Sequence, residues 1–467
     1  MRLAWFTPLE PVQSGISTYS ATILPRLRQH AIDLFVDDEV WRPRRREAVR
    51  QADGFGAVLT ELGRIRWAHD FQPLHLRQPY DLIVYQLGNA RCHDYMWPYL
   101  MRHPGLLVLH DAQLHQSRAR ALLQDRREDD FRAEFAACHP DAPAGVAEWT
   151  IAGLGNAGAP LWPLSALAIR ASRAVAVHCE RLAADLREAH PAVPIHTVRF
   201  GVPDLQAPGE TGVPDGSLPD TRSGTVLFAA FGLITPEKRI PQILRGLAAI
   251  RAEAPHVRLR LVGGTVPHYD VHADAEECGV SDLVEITGYV GDGEFDRHIR
   301  EADVCFALRW PTNREASGPW IRALSAGRAT VVNDLIHLVD VPTLDPRTWE
   351  VLTGRTDPSL RRPALREAVA VSIDILDEDH SLALAMRRLA LDAPLRASLG
   401  AAARRFWERD HTLDAMAADY ERVLEAAAAR EPSPEARGTL PAHLLADASG
   451  TLRRLAAETG VEVDWVG

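Results

Sequence analysis

The sequence predicts an α/β protein of two domains, each built on a Rossmann-like, doubly wound parallel sheet. Three observations carry that reading. Short apolar runs alternate with helical stretches, the pattern of parallel strands joined by helical crossovers. The alternation runs twice, with a Pro/Gly/Asp-rich break from Pro203 to Gly224 between the passes. The chain has 467 residues, 46% of them hydrophobic, too many for one ordinary core.

In the first pass, strands are expected at Arg2–Thr7, Ala31–Val36, Leu82–Gln86, Gly105–Leu109, Ala174–His178 and His196–Arg199, and helices at Ser17–Arg28, Leu164–Ala171 and Glu180–Ala189. Two stretches interrupt the rhythm, Arg42–His75 and an insertion at His115–Gly158. In the second pass the strands are Thr225–Phe231, Val257–Val262, Val284–Thr287, Val304–Leu308 and Ala329–Val332. The helices between them are Ile240–Glu253, Gly293–Arg300 and Pro319–Ala326. Helices at Leu382–Leu391, Leu395–Arg409 and Leu413–Ala429 follow, then one more candidate at Ala442–Thr459. The expected boundaries are a first domain at 1–203, a linker at 204–224, a second domain at 225–404 and a tail at 431–467.

Composition excludes several classes. Asp and Glu outnumber Lys and Arg by 63 to 52, a formal net charge of −11, which argues against general nucleic-acid binding. The local basic run Arg42, Arg44, Arg45 and Arg46 reads as a solvated face, with an anionic acceptor or membrane surface as the alternative. The five cysteines, Cys92, Cys138, Cys179, Cys278 and Cys305, are scattered and include no C-x-x-C pair, so they fit reduced thiols and give no zinc site. The opening MRLAWFTPLEP is too short an apolar run for a signal peptide. No segment approaches the roughly 18 uninterrupted apolar residues of a membrane span. The expectation is a soluble cytoplasmic protein, with peripheral contact at the inner membrane left open.

Ligands of open parallel sheets bind beyond the carboxyl ends of the strands, so residues just after each strand are the candidates. After the first strand, Ser14-Gly15-Ile16-Ser17 leads a small-residue loop into a helix whose free N–H groups favour an anion; Ser17 as a plain N-cap is the competing reading. His110-Asp111 ends another strand, where the carboxylate orients the imidazole, balances its charge or caps the next helix. Asn89 and His93 follow the Leu82–Gln86 strand and, with Asp111, are acceptor-side candidates. In the second domain, Gly232 permits close backbone approach, while Lys238 and Arg239 place two cations at a helix start, which calls for a compensating anion. The string Arg309 to Val332 carries Glu315 before a helix opened by Ser317 and Gly318 and closed by Gly327. The acidic run Asp377-Glu378-Asp379 stands just before a helix and reads as N-terminal capping rather than a metal motif.

Seven pieces in order resemble the retaining glycosyltransferase family 4, of GT-B fold: "SGIS" with Tyr19, "VLHD", "FGLITPEKR", "LVGG", "TGYV", "REASG…ALSAGRATVV" and "W…HT…Y". The resemblance covers about residues 1–430 and implies two domains facing across a cleft. It also implies a helix at about 405–430, from Trp407 to Tyr420, returning to the N-terminal domain. It places Gly15, Lys238 and Arg239 at a donor diphosphate, with Ser317 and Gly318 approaching by backbone. His110 falls beside the transferred sugar, Glu315 on its hydroxyls, and Gly288, Tyr289 and Val290 at the nucleobase. Two positions depart from the family pattern. Ala323 stands where a second Glu contacts the ribose, and Leu233 where an Arg pairs with the diphosphate Lys. Arg309, Arg314 and Arg322 are the replacement cations within reach.

The expected function is transfer of a sugar from a nucleoside diphosphate to an acceptor hydroxyl with retention of configuration, with His110, Glu315 and Lys238 as the catalytic set. No cofactor and no metal are expected. The nucleotide-sugar is the one partner implied, while acceptor and oligomeric state stay open. A sugar-nucleotide epimerase of the same architecture and a non-catalytic nucleotide-sugar-binding protein are the alternatives.

Overall fold

The computed structural model describes residues 1–37, 58–154, 158–207, 224–312, 314, 316–333, 341–352 and 367–446. Glu315, the run Arg42–Arg46, most of Pro203–Gly224 and the tail beyond residue 446 therefore lie outside the described residues. The chain divides into two compact units: Met1–Val198 with the residues from Ala417 on, and Arg199–Thr312 with Ala316–Met416.

The first unit holds an eight-stranded sheet among the described residues. Its strands are β1 (Arg2–Phe6), β2 (Ala31–Val36), β3 (Val58–Thr60), β4 (Gly63–Trp67), β5 (Leu82–Leu87), β6 (Leu106–Leu109), β7 (Ala174–Val177) and β8 (Ile195–Thr197). They lie in the order β3-β4-β2-β1-β5-β6-β7-β8, parallel except for the β3–β4 pair. All six residues of β5 are buried, as expected for a parallel strand covered on both faces. On one face Phe6 stacks between Phe35 and Tyr85, with ring centroids 5.1 Å from each. On the other, Trp5 packs against Tyr420 at 5.5 Å. Tyr420 lies on the helix Leu413–Ala428, whose later turns belong to this unit.

Three parts of this unit differ from expectation. β4 was not expected, because its sequence Gly-Arg-Ile-Arg-Trp has one ionic face. Arg64 and Arg66 reach Asp33 of β2 at 2.8 and 3.4 Å, and Tyr80 donates its hydroxyl to the same carboxylate at 2.7 Å. Asp33 is 1% exposed, so this compensation is what allows a charge there. Second, the 115–158 stretch is not loop but helix in its main parts, at His115–Leu123, Glu128–Cys138 and Val146–Ile151. Buried Arg118 closes a bidentate pair with buried Glu134 between the first two. Third, the expected helix over Ser17–Arg28 opens earlier, at Gly15, and its last turn, Leu24–Leu27, tightens to a 3-10 helix where Pro25 enters.

The second unit repeats the architecture with β9 (Val226–Phe231), β10 (Val257–Val262), β11 (Val284–Gly288), β12 (Val304–Ala307), β13 (Ala329–Asn333), β14 (Thr343–Leu344), β15 (Val351–Leu352) and β16 (Ala370–Ile373). Their order is β11-β10-β9-β12-β13-β16-β14-β15, with only β14–β15 antiparallel among the described strands. One core layer gathers Phe228, Leu259, Leu261, Phe306 and Val331 under the helices Ile240–Ile250 and Glu378–Leu391. The opposite layer holds Phe231, Val262, Cys305 and Ala323. No helix among the described residues is long and apolar enough to cross a membrane.

Candidate functional site

Each sheet has one place where strand order turns, between β1 and β5 in the first and between β9 and β12 in the second. The crevice outside such a turn is where an open parallel sheet binds ligands. Nearly every candidate from the sequence sits on a loop leaving one of these strands or its neighbour.

In the first unit, β1 leads to the helix Gly15–Ile23. Ser14, not Ser17, is its N-cap, the Ile16 N–H donating to Ser14 Oγ at 3.2 Å. Nothing lies within 4 Å of where a Gly15 side chain would begin, so the helix start is open to a ligand. Across the turn, Gly88 follows β5. A Cβ there would come within 2.7 Å of Ile16 and 3.2 Å of His93 Nε2, so only glycine lets the two loops approach.

His110 ends β6 and is 8% exposed. Its Nε2 meets Gln86 Oε1 at 2.8 Å. Gln86 Nε2 in turn donates to Tyr420 Oη at 3.2 Å, and Tyr420 and Tyr19 share a hydroxyl contact of 2.8 Å. Tyr19 stands edge-on to the His110 ring at 4.6 Å, and His178 is 5.0 Å away. Burial, followed by the neighbouring His178 and His93, drives the His110 pKa well below its usual value. The imidazole is therefore neutral at pH 7. With Gln86 accepting at Nε2, the proton belongs on that nitrogen and Nδ1 carries the lone pair.

The neighbours of His110 have different roles from those read in the sequence. Gln86, not Asp111, orients the imidazole. Asp111 receives the backbone N–H of Asn89 at 2.7 Å. The Asn89 side chain accepts from Ser117 N at 2.9 Å, so it helps start the helix His115–Leu123. His93 does not line an acceptor pocket: it is fully buried and donates from Nδ1 to Gln86 O at 2.9 Å. Burial lowers its pKa to about 4. Gln86 closes an expected strand and Tyr420 the W…HT…Y piece, but the sequence ties neither to His110, because each sits inside an apolar run or helix with no loop motif to mark that role.

In the second unit, the loops leaving β9, β10 and β11 are stitched by backbone. Gly232 N–H donates to Val262 O and Ile234 N–H to Gly264 O, both at 2.9 Å, and Gly263 bridges Gly288. Gly232 has φ 88°. The Lys238 ammonium lies over it, donating to Phe231 O at 2.6 Å, and a Cβ on Gly232 would stand 2.8 Å from Nζ. The Trp310 N–H donates to Glu237 O at 2.8 Å and ties the loop after β12 to this one. Arg309 N–H donates to Asn333 Oδ1, a buried side chain at the end of β13 that sequence reading did not single out. The helix Gly318–Ser325 opens here, capped by Ser317 Oγ, which accepts the Trp320 N–H at 3.3 Å. The Ser317 side chain thus serves the helix, leaving its backbone for a ligand. Tyr289 is 61% exposed just beyond Gly288, while Val290 packs against the inner layer.

Arg239 is corrected from donor binding. Its guanidinium forms a bidentate pair with Glu378, Nε to Oε1 at 2.7 Å, and its own backbone is left-handed at φ 59°. The anion that offsets one of the two cations at this helix start is therefore the protein's own carboxylate. Arg322 is likewise committed, to buried Asp296 at 2.7 Å. Ala323 is 0% exposed between Phe231, Val262 and Ile299, so a Glu there would sit in an apolar layer. Asp377 stands at the N-cap of the helix Glu378–Leu391 without a side-chain cap hydrogen bond, and Glu378 and Asp379 lie in its first turn. Glu378 pairs with Arg239, Asp379 with Arg245 at 2.8 Å and Asp377 with His380 at 3.0 Å. Among the described residues, no cluster of three or more His, Cys, Asp or Glu could hold a metal.

No family model matches the chain, and no curated protein matches it. Solved structures do. Sucrose-phosphate synthase from Thermosynechococcus elongatus aligns over 91% of this chain and 99% of its own, at 14% identity and a TM-score of 0.57. A glycosyltransferase from Rickettsia africae aligns over 92% and 99%, at 9% identity and 0.56. Anabaena HepE, solved in complex with UDP and glucose, aligns over 91% and 100%, at 12% identity and 0.53. At these identities the likeness is one of fold, and the chain has the GT-B fold of two parallel-sheet α/β domains.

Proposed function

We propose that the protein transfers a sugar from a nucleoside diphosphate to an acceptor hydroxyl with retention of anomeric configuration. The observation that carries this reading is the Lys238 ammonium laid over Gly232 at the turning point of the second sheet, where the neighbouring strand β12 leads to the helix start at Ser317 and Gly318. A cation, a bare glycine backbone and a helix N-terminus are the groups that stabilise a leaving diphosphate. The exposed Tyr289 ring offers a stacking face for the nucleobase. Glu315 holds sugar hydroxyls in this reading, as the family resemblance implies.

His110 contributes as a neutral group. Its Nε2 proton is held by Gln86, so Nδ1 accepts a hydrogen bond from a sugar hydroxyl. A neutral imidazole adds no positive charge beside the oxocarbenium-like carbon that forms when the bond to the diphosphate breaks. Ribose recognition falls to groups other than position 323, since Ala323 is buried and Arg322 is paired. The chemistry needs no divalent ion, because Lys238 and backbone N–H groups neutralise the departing phosphate.

The test is a panel of nucleotide-sugars, beginning with UDP-glucose because HepE was solved with UDP and glucose. Release of nucleoside diphosphate and the fate of the sugar are followed with and without EDTA. Transfer or slow hydrolysis that persists in EDTA is expected. An altered sugar nucleotide formed without acceptor would point to epimerisation. Binding without cleavage would point to a carrier, and loss of turnover in EDTA restored by a divalent ion would overturn metal independence.

A further inference from the structure

Within the first unit, the helices His115–Leu123 and Val146–Ile151 and the turn Ala159–Leu161 line an open pocket of about 430 Å³, with Gln116 and Gln124 exposed at its surface. That volume suits a small organic ligand. Its polar lining is His115, Gln116, Arg120, Gln124 and Thr150. The charges in this set are balanced from within. Arg120 forms a bidentate pair with Asp94, at 2.9 and 3.1 Å. His115 is engaged at both nitrogens, donating from Nδ1 to Trp162 O at 2.9 Å and accepting from Thr150 Oγ1 at 3.1 Å, and burial lowers its pKa. Among the described residues, Gln116 Nε2 and the whole Gln124 amide have no protein partner. The wall therefore offers neutral donors and acceptors and no spare cation for a phosphate or carboxylate.

The rim is apolar. Trp149, Leu154 and Leu161 are 59%, 74% and 74% exposed, and each adjoins or closely follows a lining residue in sequence. They are three of the five large hydrophobic side chains that the described part of this unit exposes, the others being Leu76 and Leu445, and they fall within one short stretch of sequence. The cavity is also wired to the His110 loop. Gln116 accepts from Asn89 Nδ2 at 3.4 Å, Ser117 N–H donates to Asn89, and Asn89 N–H donates to Asp111, next to His110.

We infer that this cavity is the acceptor site and that the acceptor is an amphiphile, with a neutral, hydroxyl-rich head in the cavity and an apolar tail across Trp149, Leu154 and Leu161. Its acceptor role rests on the transferase reading above. Balanced charge selects a neutral head, the free amides bind its hydroxyls, and the rim removes the tail from water.

The experiment uses the full chain and octyl glucoside, galactoside and mannoside below their micelle concentrations, followed by tryptophan fluorescence and calorimetry. At least one octyl glycoside should bind about tenfold more tightly than its free sugar. A sugar phosphate should bind no better than that sugar, and dimethyloctylamine oxide, with the same tail and no sugar, should bind more weakly. Trp149→Ala, at an exposed position, should weaken the octyl glycoside about fivefold or more and leave the free sugar unchanged. Ala119→Phe, which fills the cavity, should abolish both while the far-ultraviolet spectrum is kept. Failure of all three glycosides, preference for the sugar phosphate, equal binding of the amine oxide, or indifference to Trp149→Ala would overturn the inference. Cleavage of the donor, measured in the same variants, is decided separately. A native chain that binds octyl glycosides and cleaves no donor keeps the amphiphile site and loses the transferase reading.

Discussion

The two turning points are built from opposite materials. The first unit gathers rings at its strand ends: His110, Tyr19 and Tyr420 are buried and hydrogen-bonded through Gln86, and half-buried His178 packs against His110 and Tyr19. The second ends its strands in glycines, Gly232, Gly263, Gly264 and Gly288, with one lysine folded over them. A neutral, preset ring array positions hydroxyls and excludes charge. A glycine floor with a cation lets phosphate oxygens reach backbone N–H groups. On the proposed transfer reaction, the same fold, used twice, separates handling of the sugar from handling of its leaving group.

Acid should break this symmetry most strongly. Burial lowers His93 and His178 to about 4 each, and holds His110 well below its usual value. Their folded pKa values lie below the unfolded value near 6.5, so the unfolded chain binds more protons. Their contribution is intact above about pH 6.5 and is lost as pH falls through 4, by roughly 3 kcal/mol each for His93 and His178. In the second unit His298 is shifted in the same direction, by burial first and then by Arg297 and Arg260. Hydrogen exchange between pH 7 and 4 should show the first unit losing protection before the second. Simultaneous loss would mean that the histidines do not set the acid limit.

Next in size is Lys238→Ala, which should cost turnover about a hundredfold, roughly 2.7 kcal/mol, while Arg239→Ala should cost stability and little else. Steady-state rates on a cleaved donor, set beside melting curves, separate the two. Equal losses of turnover would return Arg239 to the donor site and dissolve the distinction drawn from its Glu378 pair.

The smallest effect belongs to Tyr420→Phe. It deletes the hydroxyl that Gln86 and Tyr19 share and keeps the ring against Trp5, so about 1 kcal/mol of stability should go. With Gln86 less constrained, the His110 proton should redistribute between its nitrogens. Nitrogen chemical shifts of a labelled His110 report that directly, and an unchanged tautomer would show that Gln86 needs no help.

Much of the fold was legible because parallel strands covered on both faces are apolar at nearly every position. β5 and β9 announce themselves, being buried throughout. β4 did not, because two of its five residues are arginines whose partner Asp33 lies on another strand. The lysine over glycine was legible from one loop alone. The role of Arg239 was not, since its partner Glu378 lies 139 residues away. Likewise Gln86 gained its meaning from Tyr420, far off in sequence, and Ala323 from the layer that surrounds it. Local motifs mark candidate loops. They do not reveal which side chains are already taken.

The Tyr19–Tyr420 contact spans 401 residues of chain. The second unit, from Arg199 to Met416, is thus an insertion within the first. On the ribosome the second sheet can close while the first still lacks the ring that seals Trp5 and Gln86. The strands made first are completed last, since Trp5 and Gln86 meet their partner ring only after the helix Leu413–Ala428 has left the exit tunnel.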